Sequence, residues 1–230
     1  IYTIVLDNGA SFTVDAHHSI FVFDGNTEII KEAKEVNIGD LIPYYDKGWD
    51  GYGGSYEAGR FIGIWLAEGT EEDLTRNQQV SFTLHKNELD ILNFIQTFAE
   101  PLGARIIVRQ EKENGMHVGL SNAYALNGLI KQFVKEGKRL RSNVYGMSRE
   151  FRQGIIDGLY IGDGAHQQKG HYKCVDQGLI HEGMMKDIHY LLTSLGKISA
   201  YRKFKSRIRI TYDLHNETKG WWHVYNIDGR

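Results

Sequence analysis

Two stretches of nine residues decide the fold: Phe61–Gly69 reads FIGIWLAEG, and Ile156–Gly164 reads IDGLYIGDG. Each stretch predicts the last turns of an apolar helix, and each ends in a carboxylate followed by glycine. Small residues recur four positions apart in both, so they share one helix face. Such a face lets two helices approach closely, and we therefore expect the two helices to pack together.

The carboxylates at the two helix ends, Glu68 and Asp163, are unfavourably placed. A helix C-terminus carries partial negative charge, which disfavours an acid there by roughly 0.3–1 kcal/mol. If the small faces pack together, the two acids also meet, and neither stays ionised easily without a counter-charge. A hard divalent cation such as Mg²⁺ would supply that charge.

The elements around the two stretches follow the same order, about 95 residues apart, which indicates an internal duplication. The first copy predicts a helix over 57–69 that Gly69 ends at its C′ position, a strand over 78–84, a helix over 87–102, strands over 105–109 and 116–120, and a helix over 122–134. The second copy predicts a helix over 149–162, a strand over 172–178, a helix over 181–195, and strands over 198–204, 207–214 and 223–227.

Residues before this duplication predict a small β-rich module. Strands are expected over Ile1–Leu6, Ser11–Val14 and Ser19–Phe23, separated by turn residues, with a short helical turn over 31–36. A glycine-rich stretch over 46–59 places a boundary near residue 50. The predicted division is therefore 1–50, 51–147 and 148–230. Residues 1–60 carry a net charge of −6, whereas residues 61–230 carry +4.

The duplicated helices resemble the LAGLIDADG motif of homing endonucleases, with Glu68 and Asp163 at the catalytic acid positions. The resemblance implies an α+β fold of two pseudo-symmetric halves, each offering a curved antiparallel sheet to DNA. It further implies a monomeric enzyme that hydrolyses phosphodiester bonds at a long, asymmetric double-stranded site. Glu68 and Asp163, with the carbonyls of Ala67 and Gly162, would hold Mg²⁺ or Mn²⁺ for two-metal hydrolysis.

The first 50 residues resemble the Hint fold of inteins, through Phe12–Val22 and Glu35–Pro43. His18 falls where inteins keep the histidine that promotes the first acyl shift, although His17 is an equally available neighbour. Asp15 stands where a threonine is expected, and residue 1 is Ile rather than Cys or Ser. His215-Asn216 is followed by Glu217, so we expect no splicing unless separate intein fragments assist.

Basic residues predict the DNA contacts. Lys197–Ile210 holds six cations and no acid, and strand alternation places Arg207 and Arg209 on one face. The alternative interpretation is a strand face that is simply exposed to solvent. The sequence also does not decide whether Arg207 and Arg209 or Lys203 and Lys205 face DNA. The predicted DNA-binding residues are Arg105, Arg109, Lys169, Arg202, Lys203, Lys205, Arg207 and Arg209.

Composition narrows the classes of protein. One cysteine, Cys174, excludes an internal disulfide and a cysteine-rich zinc site, and no apolar run approaches the length of a membrane span. We expect an intracellular protein of the cytoplasm or nucleoid with no membrane partner. Two alternatives to the nuclease stay open: a protein-splicing element or fragment, and a LAGLIDADG protein that binds DNA or RNA without cleaving it.

Overall fold

The structure is a computed structural model that describes residues 1–24, 26–43, 47–110, 114–166, 172–213 and 221–229. The helices are α1 (Tyr56–Glu68), α2 (Leu89–Ala99), α3 (Tyr124–Phe133), α4 (Arg149–Asp163) and α5 (Glu182–Ser194). The strands of the amino-terminal part are β1 (Tyr2–Leu6), β2 (Ser11–Val14), β3 (Ser19–Phe23), β4 (Glu28–Glu32) and β5 (Leu41–Pro43). The remaining strands are β6 (Gln79–His85), β7 (Arg105–Gln110), β8 (Gly115–Ser121), β9 (Val134–Lys135), β10 (Arg139–Leu140), β11 (Gly164–His166), β12 (Lys173–Gly178), β13 (Ser199–Lys203), β14 (Arg207–Tyr212) and β15 (Trp221–Gly229).

Helices α1 and α4 form the centre of the molecule and pack backbone against backbone, as the small-residue pattern predicts. A Cβ built on Gly63 would lie 2.1 Å from the carbonyl oxygen of Ile155, and one built on Gly158 would lie 2.2 Å from that of Arg60. Both helices begin at a serine, Ser55 or Ser148, whose side chain accepts a hydrogen bond from the backbone amide three residues later.

Two antiparallel sheets repeat one topology around this helix pair. The strand orders are β6-β8-β7 and β11-β12-β14-β13. Gly69, directly after α1, bridges to Phe82 of β6, and Gly164, directly after α4, pairs with Val175 of β12. The first sheet therefore keeps a single bridge where the second has the strand β11. This correspondence of helix end and strand confirms the internal duplication.

A single hydrophobic cluster joins the two halves. Its buried members include Phe61 and Trp65 of α1, Phe82 of β6, and Ile208 and Ile210 of β14. The helices and both sheets thus share one core, which fixes the helix ends relative to the sheets.

A third sheet, with strand order β2-β1-β15-β5-β3-β4, has a separate small core that includes Ile4, Ile20 and Val22. The prediction that placed a strand over 223–227 in the second repeat is therefore wrong, because β15 pairs with β1 and β5 instead. Strand alternation marks which residues of β15 are buried, such as Val224, but carries no information about a partner more than 200 positions away.

Other local predictions need correction. Residues 28–32 form the strand β4, and the helical turn is confined to Ala33–Glu35. Gly69 ends α1, but its backbone is extended (φ −78°) rather than left-handed. Glycine is needed there because a Cβ would lie 2.3 Å from the Trp65 ring. No helix in the described ranges is long and apolar enough to cross a membrane.

Candidate active site and nucleic-acid face

The two predicted acids meet at the carboxyl ends of α1 and α4. A Cβ built on Gly162 would lie 2.5 Å from the Cβ of Ala67 and 3.1 Å from Oε1 of Glu68. Glycine at position 162 therefore leaves the space in which the Glu68 carboxylate lies beside the last turn of α4. Asp163 follows directly and accepts a hydrogen bond from the amide of Gln177 on β12.

Burial and the closeness of the two carboxylates raise the pKa values of this acid pair towards the neutral range. Burial raises the pKa of Glu68 to about 7, and the nearby Asp163 and Glu88 carboxylates raise it further. Burial also raises the pKa of Asp163 to about 6, with Lys138 acting in the opposite direction. The pair is thus poised to accept a cation, because a positive charge would remove the penalty on both carboxylates.

Lys138 is the internal counter-charge, and sequence reasoning did not identify it. Its side chain is buried, with only 7% of the residue exposed, and its ammonium donates to the carbonyl oxygen of Leu66 at 2.9 Å. The same ammonium lies 5.5 Å from the centroid of the Trp65 ring. Burial lowers the pKa of Lys138, whereas Asp163 and Glu68 raise it.

The backbone around Lys138 explains why a lysine reaches this position. It stands between β9 and β10 in a tight turn, with a φ of +53° beside Gly137 at +74°. Left-handed backbone is uncommon for a residue with a Cβ, and such strain concentrates at functional sites. The Gly137-Lys138 pair is the sequence signal that could have marked the turn, but no pattern links it to Glu68, some 70 residues away.

The donor set suits a hard divalent cation in part. Glu68 and Asp163 supply two carboxylates, and the predicted carbonyls of Ala67 and Gly162 belong to the same helix ends. Among the described residues, no group of three or more His, Cys, Asp or Glu side chains surrounds a common point with metal-binding geometry. Protein oxygens alone therefore leave the coordination open, as in sites where water and substrate phosphate complete it.

The predicted basic residues of the second sheet occupy two faces. On β14, Ile208 and Ile210 are fully buried, so Arg207 and Arg209 lie on the opposite face, away from the helices. Arg202 is directly opposite Arg209 and shares that face. Lys203 is opposite Ile208 and therefore lies on the other face, towards the helices, whereas which face contacts DNA stays a prediction.

Several of these cations have acidic partners from distant segments, which the uninterrupted run of positive charge did not predict. Lys203 contacts Glu182 at 2.5 Å, Lys197 contacts Asp213 at 3.1 Å, and Arg209 forms a two-pronged pair with Asp176. Within the described ranges, Arg202 and Lys205 have no acid within ion-pair distance. Lys169 lies outside the described residues.

The first sheet carries its basic residues on the equivalent face. Arg105 and Arg109 are exposed on β7, opposite Ser121 and His117 of β8. Arg76, near the start of β6, lines a shallow groove on this face with Arg109, Gln79 and His117. The structure therefore gives each half an outward sheet face that carries arginine.

His18 is exposed in the loop between β2 and β3, where its amide donates to the carbonyl of Asp15. Its neighbour His17 is bound by Glu32, with Nδ1 and Oε2 3.0 Å apart. The segment with His215, Asn216 and Glu217 lies outside the described residues, so the prediction about terminal splicing residues stays a prediction.

Comparisons with known proteins give the fold. No protein-family model matches the chain. A stretch of 159 residues is 25% identical to the ATP-dependent DNA helicase Hel308 of Thermococcus kodakarensis, and it covers 65% of this chain but 14% of the helicase. The chain thus corresponds to about one seventh of that relative.

Solved structures of I-DmoI, a homing endonuclease, superpose on the chain. The complex of I-DmoI with DNA and Mn matches with a TM-score of 0.52 and 11% identity, over 71% of this chain and 93% of the other. The complex with DNA and Ca matches with a TM-score of 0.51 and 11% identity, over 69% and 83%. The chain has the mixed α and β fold, with curled antiparallel sheets, of LAGLIDADG homing endonucleases.

Proposed function

We propose that the chain is a site-specific endonuclease that hydrolyses double-stranded DNA at a long, asymmetric site with a divalent metal. One observation carries the proposal: two carboxylates at equivalent helix ends, Glu68 and Asp163, are brought together between two outward sheets that carry arginine. The fold and the DNA complexes of I-DmoI support it. Because the two halves differ in sequence, the target need not be a palindrome.

In this proposal, Glu68 and Asp163 hold the cation together with the carbonyls of Ala67 and Gly162. A bound Mg²⁺ or Mn²⁺ would supply Lewis acidity, which makes water a stronger nucleophile and stabilises the departing 3′-oxygen. The reaction forms a bond from the water oxygen to phosphorus and breaks the bond from phosphorus to the 3′-oxygen.

The chain's own residues prepare this chemistry. Lys138 balances the charge of the acid pair from within the core, so the acids stay close together without unfolding the helix ends. Gln177 fixes the orientation of Asp163 through its amide. The shared core of the two halves excludes water from the side of the acids that faces it, and this strengthens the electrostatic interactions there.

The sheet formed by residues 1–43 and 221–229 supports a further proposal, that this module is related to the Hint fold. Strands β5 and β15 are antiparallel neighbours, so the chain leaves this sheet at β5 and returns to it in the adjacent strand β15. The nuclease-like part is therefore inserted into the module by two adjacent connections.

Digestion of a randomised double-stranded DNA library with Mg²⁺, followed by sequencing of the cut ends, tests the proposed nuclease. The proposal predicts one enriched, asymmetric site and cleavage of both strands. Enriched binding without any cut ends would favour a protein that binds DNA without cleaving it. The absence of both binding and cutting would overturn the proposal.

A further inference from the structure

One row of side chains crosses the outward face of the second sheet. Asp176 of β12, Arg209 of β14 and Arg202 of β13 are directly opposite one another in the strand register. Side chains in such a row share one face and lie close together. The row is part of the face that the proposed function assigns to DNA.

Asp176 and Arg209 form a two-pronged pair within this row. Nε of Arg209 lies 2.7 Å from Oδ1 of Asp176, and Nη2 lies 2.6 Å from Oδ2. About a fifth of the Arg209 side chain and a quarter of the Asp176 side chain are exposed. The pair therefore lies at the surface of the sheet but is largely shielded from water, which favours a fixed geometry over a mobile one.

The pairing leaves one edge of the guanidinium for a ligand. Asp176 uses two of its five N–H groups, and among the described residues no other side chain or carbonyl accepts from Nη1 or from the second N–H group of Nη2. These groups have the spacing that matches O6 and N7 of guanine in the major groove of DNA. A planar guanidinium that is already held in place loses less conformational freedom when it binds than a mobile one.

The first sheet differs at the equivalent row. There Thr83, His117 and Arg109 are opposite one another, so a hydroxyl stands where the second sheet has the Asp176 carboxylate. Arg109 corresponds to Arg202, and His117 corresponds to Arg209. The first sheet repeats neither the paired guanidinium nor the carboxylate that holds it. The row is therefore a source of asymmetry between the two half-sites.

We propose that Arg209 reads a guanine in the half-site bound by the second sheet, and that Asp176 is the positioning residue that fixes its guanidinium for this contact. The proposal rests on the proposed function, because it needs a DNA substrate. The first sheet then imposes no guanine requirement at the symmetry-related position.

Selection of bound sequences from a randomised DNA library, in Ca²⁺, tests this without requiring cleavage. Wild type is compared with Arg209→Lys, which keeps the charge but loses the planar guanidinium. It is also compared with Asp176→Asn, which keeps the shape but loses the carboxylate. Arg109→Lys in the first sheet is the matched control. Melting temperatures of all four proteins identify any variant that fails to fold.

The expected result is a guanine preference at one position of the wild-type site, of about 5- to 140-fold, the range given by one bidentate contact. Arg209→Lys and Asp176→Asn should both weaken that preference at the same position and leave the other positions unchanged. Arg109→Lys should leave that guanine intact.

Three results would overturn the inference and leave the proposed function standing. Equal weakening at every position would assign Arg209 to the phosphate backbone. A cytosine preference that follows Asp176 but not Arg209 would make the carboxylate itself the reader. Selection of the same site by wild type and by both the Arg209 and the Asp176 variants would also contradict it. A wild-type protein that selects no sequence would contradict the proposed function as well.

Discussion

Gly63 of α1 and Gly158 of α4 meet across the helix interface: a Cβ built on Gly63 would lie 2.9 Å from the Cα of Gly158. Glu68 and Asp163 each follow their glycine by about five residues, so the same contact that joins the helices sets the separation of the acids. Helix packing and the proposed chemistry thus depend on one small-residue face.

Adding side-chain volume at this face should destabilise the protein. Gly63→Ala must push α1 from the backbone of α4, and Gly63→Leu or Gly158→Leu must do so further; overpacking costs typically 1–3 kcal/mol. Thermal or denaturant unfolding measures the change. Gly128→Ala in α3 is the control, since no atom lies within 4 Å of its Cβ position. There, alanine should raise stability by about 0.5–1 kcal/mol. Equal effects at Gly63 and Gly128 would contradict close packing of α1 and α4.

Replacing the buried ammonium should stop cleavage but not DNA binding. Lys138→Met removes the internal counter-charge of Glu68 and Asp163, so the acid pair loses the group that lowers the pKa of both. We expect a fall in single-turnover cleavage rate of at least a hundredfold, typical of a lost positioned charge. Lys135→Met, at the exposed residue of β9 in the same hairpin, should cut like wild type. A Lys138→Met protein that cuts at the wild-type rate would remove Lys138 from the site.

Without metal, the acid pair should make the protein less stable as pH rises. The pKa of Glu68 is raised from 4.5 to about 7 in the folded state, so the folded state binds more protons than the unfolded state between these values. Stability is therefore lost as pH climbs from about 4.5 to 7. Glu68→Gln removes this loss and should be the more stable protein at pH 8 in EDTA, by on the order of 1 kcal/mol after solvent screening.

Mg²⁺ gives the complementary result. It should raise the melting temperature of wild type at pH 8 more than that of Glu68→Gln, because it binds the folded state through the ionised pair. Equal shifts in the two proteins would show that the cation binds elsewhere.

His189 should produce the opposite trend at lower pH. Burial lowers its pKa from 6.5 to about 4, and its Nδ1 lies 3.0 Å from the Ser199 hydroxyl. The unfolded chain therefore takes up a proton that the folded chain resists, and stability present above pH 6.5 is lost as pH falls towards 4. The loss from this group alone amounts to at most about 3 kcal/mol. Unfolding curves from pH 8 to 4 measure it, and His189→Gln should show a flatter profile. An unchanged slope in that variant would assign the loss to other groups.

What can be predicted from the sequence alone depends on how far apart in the chain the interacting residues are. The glycines at 63 and 158 and the acids at 68 and 163 were predictable, because helical spacing is local and the duplication repeats it. Lys138 was not, because a buried charge is recognised by what surrounds it, and those groups come from other elements. The partner strands of β15 and the acids that bind Lys203 and Arg209 were missed for the same reason: register and cross-strand contacts join residues far apart in the chain.

Cleavage of a site selected from the library, by wild type and by Asp163→Asn, tests the central claim most directly. Single-turnover cleavage in Mg²⁺ and equilibrium binding in Ca²⁺ are measured on the same DNA. The account predicts that Asp163→Asn binds within a few-fold of wild type and cuts at least a hundredfold more slowly, because a ligand of the catalytic cation is lost. Cleavage by Asp163→Asn at the wild-type rate would contradict the account.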